Sequence, residues 1–415
     1  MKKLMMMAVM FVASATAFAG DSDALKAILK AKTYAEAESL VKSTLGQLAS
    51  DAEKAKAYYK LEELALESFK KEDDVRLTNQ IMKKDDAFDR DVLVSSGINA
   101  MNAAIECHKY DILPNEKGKV KPSFEKKSQD NLVSVRNALL LVGFDFINSE
   151  TLSNDEKNLK VFNSLDAYVA GAESDLLKDV QIVKDDSNLG VAAFHAGRCA
   201  VQLKNFDRAA ELFKVGIRDT SKQVHDLCFD LLVYTMSQNL KSAEDSLKYE
   251  KQLDDLYVEY PANEQIFSSL ANLYTAREDY DKVFAFADSH LAKNPNAVFP
   301  HVYKANTYQI QKKYDEAIAE WSLVPETAPN YVNFIYNRAV CKLFKANEFN
   351  DKNANNMGRL TPENEAKYKE MLQDSLVDFE KTKELDPDQL TVKWGYLLKN
   401  VYIATGQQEK ADAIM

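Results

Sequence analysis

The chain has 415 residues, 46% of them hydrophobic, which is ample for a large core. Only 12 glycines and 9 prolines punctuate it, which argues against a turn-rich architecture and for long helices. Its formal net charge of −11 sets up a field that repels phosphate backbones, so nucleic acid is not an expected partner.

From the N-terminus, the first expected element is not part of the fold. Lys2 and Lys3, the apolar run 4–13 and the small-residue site Ala17-Phe18-Ala19 have the layout of a secretory signal peptide, residues 1–19, with cleavage before Gly20. No cysteine stands at that site, so a lipid anchor of the bacterial lipoprotein type is not expected. No later run is apolar enough to span a bilayer. The mature chain is expected in the periplasm or secreted; loss of Lys2 and Lys3 leaves 51 basic residues against 64 acidic, a charge of −13.

Residues 20–185 read as an irregular helical region. TYAEAESLVKSTL (33–45) and LEELALESF (61–69) carry helical spacing, and NLVSVRNALLLVGFDFI (131–147) is too apolar for a surface helix, so it should be deeply packed. Ala167, Ala170 and Gly171 in DAYVAGAESDLL mark a close helix crossing. The lysine-rich stretch 111–127, with Pro114, Gly118 and Pro122, is an expected exposed loop.

From residue 186 onward the sequence repeats itself. KNFDRAAELF (204–213), EDYDKVFAFA (278–287) and KKYDEAIAEW (312–321) keep an aromatic in third place, Phe206, Tyr280 or Tyr314, and a small residue three later, Ala209, Val283 or Ala317. KTYAEAESLV (32–41) and GQQEKADAIM (406–415) are further copies. The acids are not kept. Glu320 aligns with Leu212, Phe286, Leu40 and Ile414, so the motif reads as packing rather than as an acid–base site, and Glu316 and Glu320 are expected at the surface. One interval separates Ala271 from Ala305, Tyr274 from Tyr308, Tyr280 from Tyr314 and Pro295 from Pro329, and it equals the helical-repeat period of about 34 residues.

With that period and those residues, the sequence resembles the tetratricopeptide repeat family, in which two antiparallel helices form a unit that buries its apolar face by stacking on a neighbour. The matching positions are Phe267, Leu270, Ala271, Tyr274, Tyr280, Val283 and Ala287 in one unit and His301, Lys304, Ala305, Tyr308, Tyr314, Ala317 and Trp321 in the next. Ala193, Ala196, Gly197, Ala200, Phe206, Ala209 and Phe213 fill them in an earlier unit. The family's early tryptophan is replaced by Ala193, Phe267, His301 or Ile335. The resemblance implies an all-α, right-handed α-solenoid of antiparallel helix pairs over 186–415, with a last partial unit from Trp394 capping the stack. The stretch from Phe206 to Tyr280 spans slightly more than two periods, which leaves room for one more unit with extra residues in QNLKSAED (238–245). From Pro329 to Pro387 the chain runs well beyond one period, which implies an inserted loop near 347–361, with a helix restarting at Thr361-Pro362-Glu363.

Within that insertion Asp351, Asn353 and Asn355 have the spacing of calcium-loop ligands, but Asn356 stands where the turn needs glycine and Pro362 where a bidentate acid should close the site. No metal is assigned. The five histidines lack ligand spacing, Cys107 and His108 diverge on a helix, and no nucleophile elbow, phosphate loop or dinucleotide fingerprint occurs. Neither catalysis nor a cofactor is expected. Cys107, Cys199, Cys228 and Cys341 read as buried free thiols, with a bond between Cys199 and Cys228 as the alternative.

In the family the first helix of each pair lines the ligand surface. The resemblance therefore implies a groove of Phe194, Arg198 and Gln202, then Ser268, Asn272 and Thr275, then Val302, Asn306 and Gln309, then Tyr336 and Asn337. Asn272 and Asn306 hold equivalent places, and amides there suit the backbone of an extended peptide. Ser268 and Asn337 stand where the family's carboxylate clamp wants basic residues, so that mode is not expected. The implied function is an interaction scaffold or assembly factor that holds a protein or peptide partner in the cell envelope. Two alternatives are a carbohydrate or nutrient-uptake binding protein and a hydrolase with an unrecognised site in the N-terminal half.

Overall fold

A computed structural model describes residues 21–114, 118–238, 240 and 242–414. The expected signal peptide and its cleavage point before Gly20 lie outside the described residues. Among those residues the chain is all-helical, and it forms two compact units that divide between Asn239 and Leu240. The division falls inside the region read as repeats, in the stretch where the extra residues were expected.

The first unit holds α1 (Asp23–Lys30), α2 (Tyr34–Thr44), α3 (Asp51–Met82), α4 (Arg90–Asp111), α5 (Glu125–Ile147), α6 (Asn154–Glu173), α7 (Gln181–Lys184), α8 (Leu189–Gln202), α9 (Phe206–Gly216) and α10 (Lys222–Ser237). Ser22, Thr33, Ser50 and Asp89 start their helices by accepting from first-turn N–H groups, and Ser153 with Glu156 forms a full capping box. As its composition requires, α5 is buried along Leu132, Val135, Leu139, Val142 and Phe146. Gly171 explains the close crossing of α6, since a Cβ there would sit 2.5 Å from Met101 Sδ. The expected loop 111–127 is tied at both ends: the Asp111 carboxylate accepts from the N–H groups of Ser123 (2.8 Å) and Phe124 (2.8 Å), so the last residue of α4 caps α5.

The second unit holds α11 (Ala243–Glu259), α12 (Glu264–Ala276), α13 (Tyr280–Lys293), α14 (Phe299–Ile310), α15 (Tyr314–Ser322), α16 (Tyr331–Asn353), α17 (Pro362–Leu385), α18 (Gly395–Ala404) and α19 (Gln408–Asp412). From α12 onward these are consecutive pairs, α12/α13 to α18/α19, packed side by side. Thr361 and Pro362 start α17 as expected. The inserted loop near 347–361 does not form as expected, because α16 stays helical to Asn353 and only 354–361 is loop. Most of the extra residues lengthen both helices, held by a Lys352–Glu348 ion pair (2.6 Å) and a bond from Tyr368 to Asn347 (3.1 Å). Asp351 and Asn353 are therefore helical, and the calcium-loop spacing has no loop to act in.

One turn joins α8 to α9, α12 to α13, α14 to α15 and α18 to α19. Lys204, Glu278, Lys312 and Gly406 each take the left-handed conformation, with φ of 59°, 58°, 59° and 76°. The next N–H donates five residues back, from Asn205 to Ala200 (2.8 Å), Asp279 to Tyr274 (3.0 Å), Lys313 to Tyr308 (2.8 Å) and Gln407 to Tyr402 (2.8 Å). This Schellman arrangement satisfies terminal carbonyls of one helix while reversing the chain into the next. Four residues past three of these turn residues, a cation reaches an acid on an earlier helix: Arg208 to Asp166 (2.7 Å), Lys282 to Glu250 (2.8 Å) and Lys410 to Glu380 (2.9 Å). Within pairs, small residues admit close approach. Ala271, Ala305 and Ala317 are fully buried, and a Cβ on Gly197 would lie 2.6 Å from the Phe213 ring.

Candidate functional site

The shared turn supplies a register for the first helices. Counting back ten, six and three residues from the left-handed residue gives Ser268, Asn272 and Thr275 on α12 and Val302, Asn306 and Gln309 on α14. The same count on α18 gives Tyr396, Asn400 and Ile403, which the sequence reading missed although the spacing of Tyr402 and Gly406 matches that of Tyr308 and Lys312. On α8 in the first unit it gives Phe194, Arg198 and Val201, so Gln202 falls one place past the register.

The face is mostly polar and partly open. Asn272 is exposed, and Ser268, Thr275, Asn306 and Gln309 are half-buried. The helices are pinned across it. Tyr303 on α14 donates its hydroxyl to the Ser268 carbonyl (3.1 Å) within hydrogen-bonding reach of the Asn272 side chain, and Cys341 Sγ on α16 contacts Gln309 Oε1 at 3.2 Å. Val302 is a correction. It is 8% exposed and packs with Ala305, Ala317, Trp321 and Phe334, so it belongs to the core rather than to a ligand surface. Tyr336 and Asn337 are half-buried, Tyr336 lying edge-on to Phe379 at 6.0 Å. In the first unit Phe194 is half-buried, with the Arg198 guanidinium 5.5 Å over its ring, while Arg198 and Gln202 are exposed.

Glu320 is a second correction. It sits in the α14/α15 seam, where it accepts from His301 Nδ1 (2.7 Å) and Lys304 Nζ (2.7 Å), and Lys304 also reaches Asp288 (3.0 Å). Burial pushes the Glu320 carboxyl up, but the bonds from His301 and Lys304 outweigh it and hold the group below the ordinary glutamate range. One repeat earlier the same three places are Phe267, Leu270 and Phe286, with the two phenyl rings stacked 4.9 Å apart. An ionic contact thus fills a slot that is apolar elsewhere. Glu316, by contrast, is exposed.

Of the other chemistry-bearing groups, Cys107, Cys228 and Cys341 are buried as expected, while Cys199 is only half-buried. All four cysteines are free, Cys199 and Cys228 included. Burial pushes the Cys199 thiol up to about 11 and the Cys341 thiol up to about 12, so neither is a ready nucleophile at neutral pH. His290 is enclosed between the Tyr257 hydroxyl (2.8 Å) and Asn294 Nδ2 (3.4 Å), and burial, helped by Lys293, holds its pKa below the ordinary histidine value. In the first unit, Glu62 is fully buried and accepts from Ser128 (2.5 Å) and Asn131 (3.3 Å). That unit also contains an open cleft of about 660 Å³ walled by Phe88, Phe146 and Leu152 and by the charges of Glu72, Asp91, Asp145 and Lys160. The Lys160 ammonium is already paired with Asp91 (2.6 Å). Among the described residues no group of histidine, cysteine and carboxylate side chains has the arrangement to hold a metal, and no helix is long and apolar enough to cross a membrane. No protein-family model matches the chain, and a search of curated proteins returns no match.

Proposed function

We propose that the chain is an exported solenoid of tetratricopeptide type whose first helices hold an extended segment of a protein partner in the cell envelope. The observation that carries this reading is the recurrence, one repeat period apart, of a left-handed turn that places Asn272 and Asn306 at matching points of α12 and α14. An amide presents a donor and an acceptor together, which is what a peptide backbone requires. Charge supports a protein ligand over a nucleic acid.

The test uses peptides drawn from envelope proteins, screened against the mature chain. For a bound peptide, Asn272→Ala with Asn306→Ala should weaken binding by about 1 kcal/mol or more, the usual net worth of one or two hydrogen bonds. Undiminished binding by the double variant overturns the groove reading. The alternative of a carbohydrate or nutrient binder has one observation in its favour, the cleft of about 660 Å³ beside Phe88 and Phe146. A saccharide that stabilises the parent but not Asp145→Ala in thermal melts would favour it.

A further inference from the structure

Glu62 lies on the side of α3 that Ser128 and Asn131 of α5 cover, and at 0% exposure it is an acid sealed from water. Its polar contacts are both neutral. The Ser128 hydroxyl is 2.5 Å from Oε2 and Asn131 Nδ2 is 3.3 Å from Oε1, both on the first two turns of α5. A hydroxyl can give or take a hydrogen bond, so the Ser128 contact suits a carboxyl that carries its proton as well as one that does not.

The charged groups around this seam do not compensate a carboxylate. Its neighbour on α3 is Glu63. On α5 the Lys127 ammonium is drawn outward, 3.8 Å from Glu63 and 5.0 Å from the centre of the Tyr59 ring, and the Lys127 side chain is largely exposed. On α4 the buried Cys107 thiol feels both Glu62 and Asp111, so a second acid lies on that side, its carboxylate committed to the N–H groups of Ser123, Phe124 and Glu125. A buried charge without a close cation is costly, whereas a neutral carboxyl with two hydrogen-bonding partners is not.

We propose that Glu62 is a proton-operated latch in the first unit: carrying its proton it lets α5 close on α3, and losing it lets the start of α5 open locally and expose Leu132, Val135 and Leu139. The latch is independent of peptide binding at Asn272 and Asn306. Burial pushes the Glu62 carboxyl up, by more than the bonds from Ser128 and Asn131 and the charge of Lys127 pull it down. In the opened state the acid is ordinary, at about 4.3. Closure is therefore strongest below about pH 4.3 and is lost as pH rises through the closed-state value, opening gaining up to about tenfold per pH unit within that window.

The test is hydrogen exchange of the full chain from about pH 4 to about pH 7.5, each rate divided by the intrinsic chemical rate at that pH, read on peptides covering α5. Protection of α5 in the parent should fall by about fivefold or more across this range. Glu62→Gln keeps the shape without the charge, so it should flatten the profile and leave α5 better protected than the parent at about pH 7. A purely structural acid would instead lose protection in that variant at every pH. Glu63→Gln should keep the fall, because Glu63 is exposed. Equal pH dependence in the parent and Glu62→Gln, or lower protection of the variant at about pH 7, overturns the proposal. Should Glu62→Gln not fold, the parent decides alone: a fall in α5 with α17 unchanged supports the latch, and a flat α5 profile overturns it.

Discussion

Glu320 offers the sharpest energetic test of the repeat register. Its carboxylate receives hydrogen bonds from His301 and Lys304, both at 2.7 Å, and Glu320 and Lys304 side chains are only 13% and 15% exposed. A hydrogen bond to a charged group is worth about 1.5–3 kcal/mol, and Lys304 keeps a weaker partner in the exposed Asp288, so Glu320→Gln should cost about 2 kcal/mol. Lys304→Met should cost a similar amount by stranding the acid. The double variant Lys304→Met with Glu320→Leu restores the apolar character of Leu270 and Phe286 one repeat earlier, and well-packed apolar residues replace buried ion pairs at little or no cost. It should therefore lie within about 1 kcal/mol of the parent; with Glu320→Leu alone costing at least as much as Glu320→Gln, the cycle closes on a coupling of about 3 kcal/mol, at the upper end for residues in contact. The assay is urea unfolding followed by tryptophan fluorescence, since both tryptophans, Trp321 and Trp394, are buried in the second unit. The acid's folded pKa is depressed, so its contribution is complete above about pH 4.3, the unfolded value, and fades as pH falls through the folded one. Additive losses in the double variant, or a free Glu320→Gln, would refute the assignment of this slot.

Further expectations concern backbone, packing and protonation. Glu278→Gly and Lys312→Gly should each stabilise the chain by about 0.5–1 kcal/mol in thermal melts, because release from the left-handed conformation outweighs the added unfolded-state entropy. Ala317→Phe should destabilise by about 1–3 kcal/mol, since Ala317 is fully buried against Trp321, whereas Glu316→Gln should stay within about 0.5 kcal/mol. The depressed pKa of His290 means the unfolded chain takes up its proton first, so stability should fall as pH drops from about 6.5 towards the folded value. His290→Phe should flatten that part of the pH profile, read from urea midpoints between pH 7 and 5.

The repeat was legible where packing leaves a periodic trace. Ala271, Ala305, Tyr274 and Tyr308 occupy equivalent buried or half-buried sites because two helix backbones approach closely at the same point of each unit. The turns themselves were not legible. Lys204, Glu278 and Lys312 hold a conformation whose usual marker is glycine, and the pairing of helices on either side enforces it. Glu320 was misplaced although its alignment with Leu212 and Phe286 already put it in an apolar slot; its partners, His301 and Lys304, lie on another helix, and only their three-dimensional arrangement shows how the charge is tolerated. The polar run at 347–353 looked like loop because its helical conformation depends on contacts with α17, such as Tyr368 to Asn347. On the candidate surface, Val302 was misassigned because the face of each first helix is partly covered by its successor. Tyr396 and Ile403 were missed because without the turn register α18 had nothing to be aligned to.

Whether the first helices hold the partner can be decided before the partner is identified. A photo-crosslinking amino acid placed in turn at Asn272, at Glu316 on the exposed side of α15, and at Asn356 in the 354–361 loop, in cells making the chain, reports which surface is occupied. A discrete crosslinked species from Asn272 that is absent from Glu316 and Asn356, and that fades when Asn306 is also replaced by alanine, is the expected outcome. Crosslinks from Glu316 or Asn356 with none from Asn272 would contradict it.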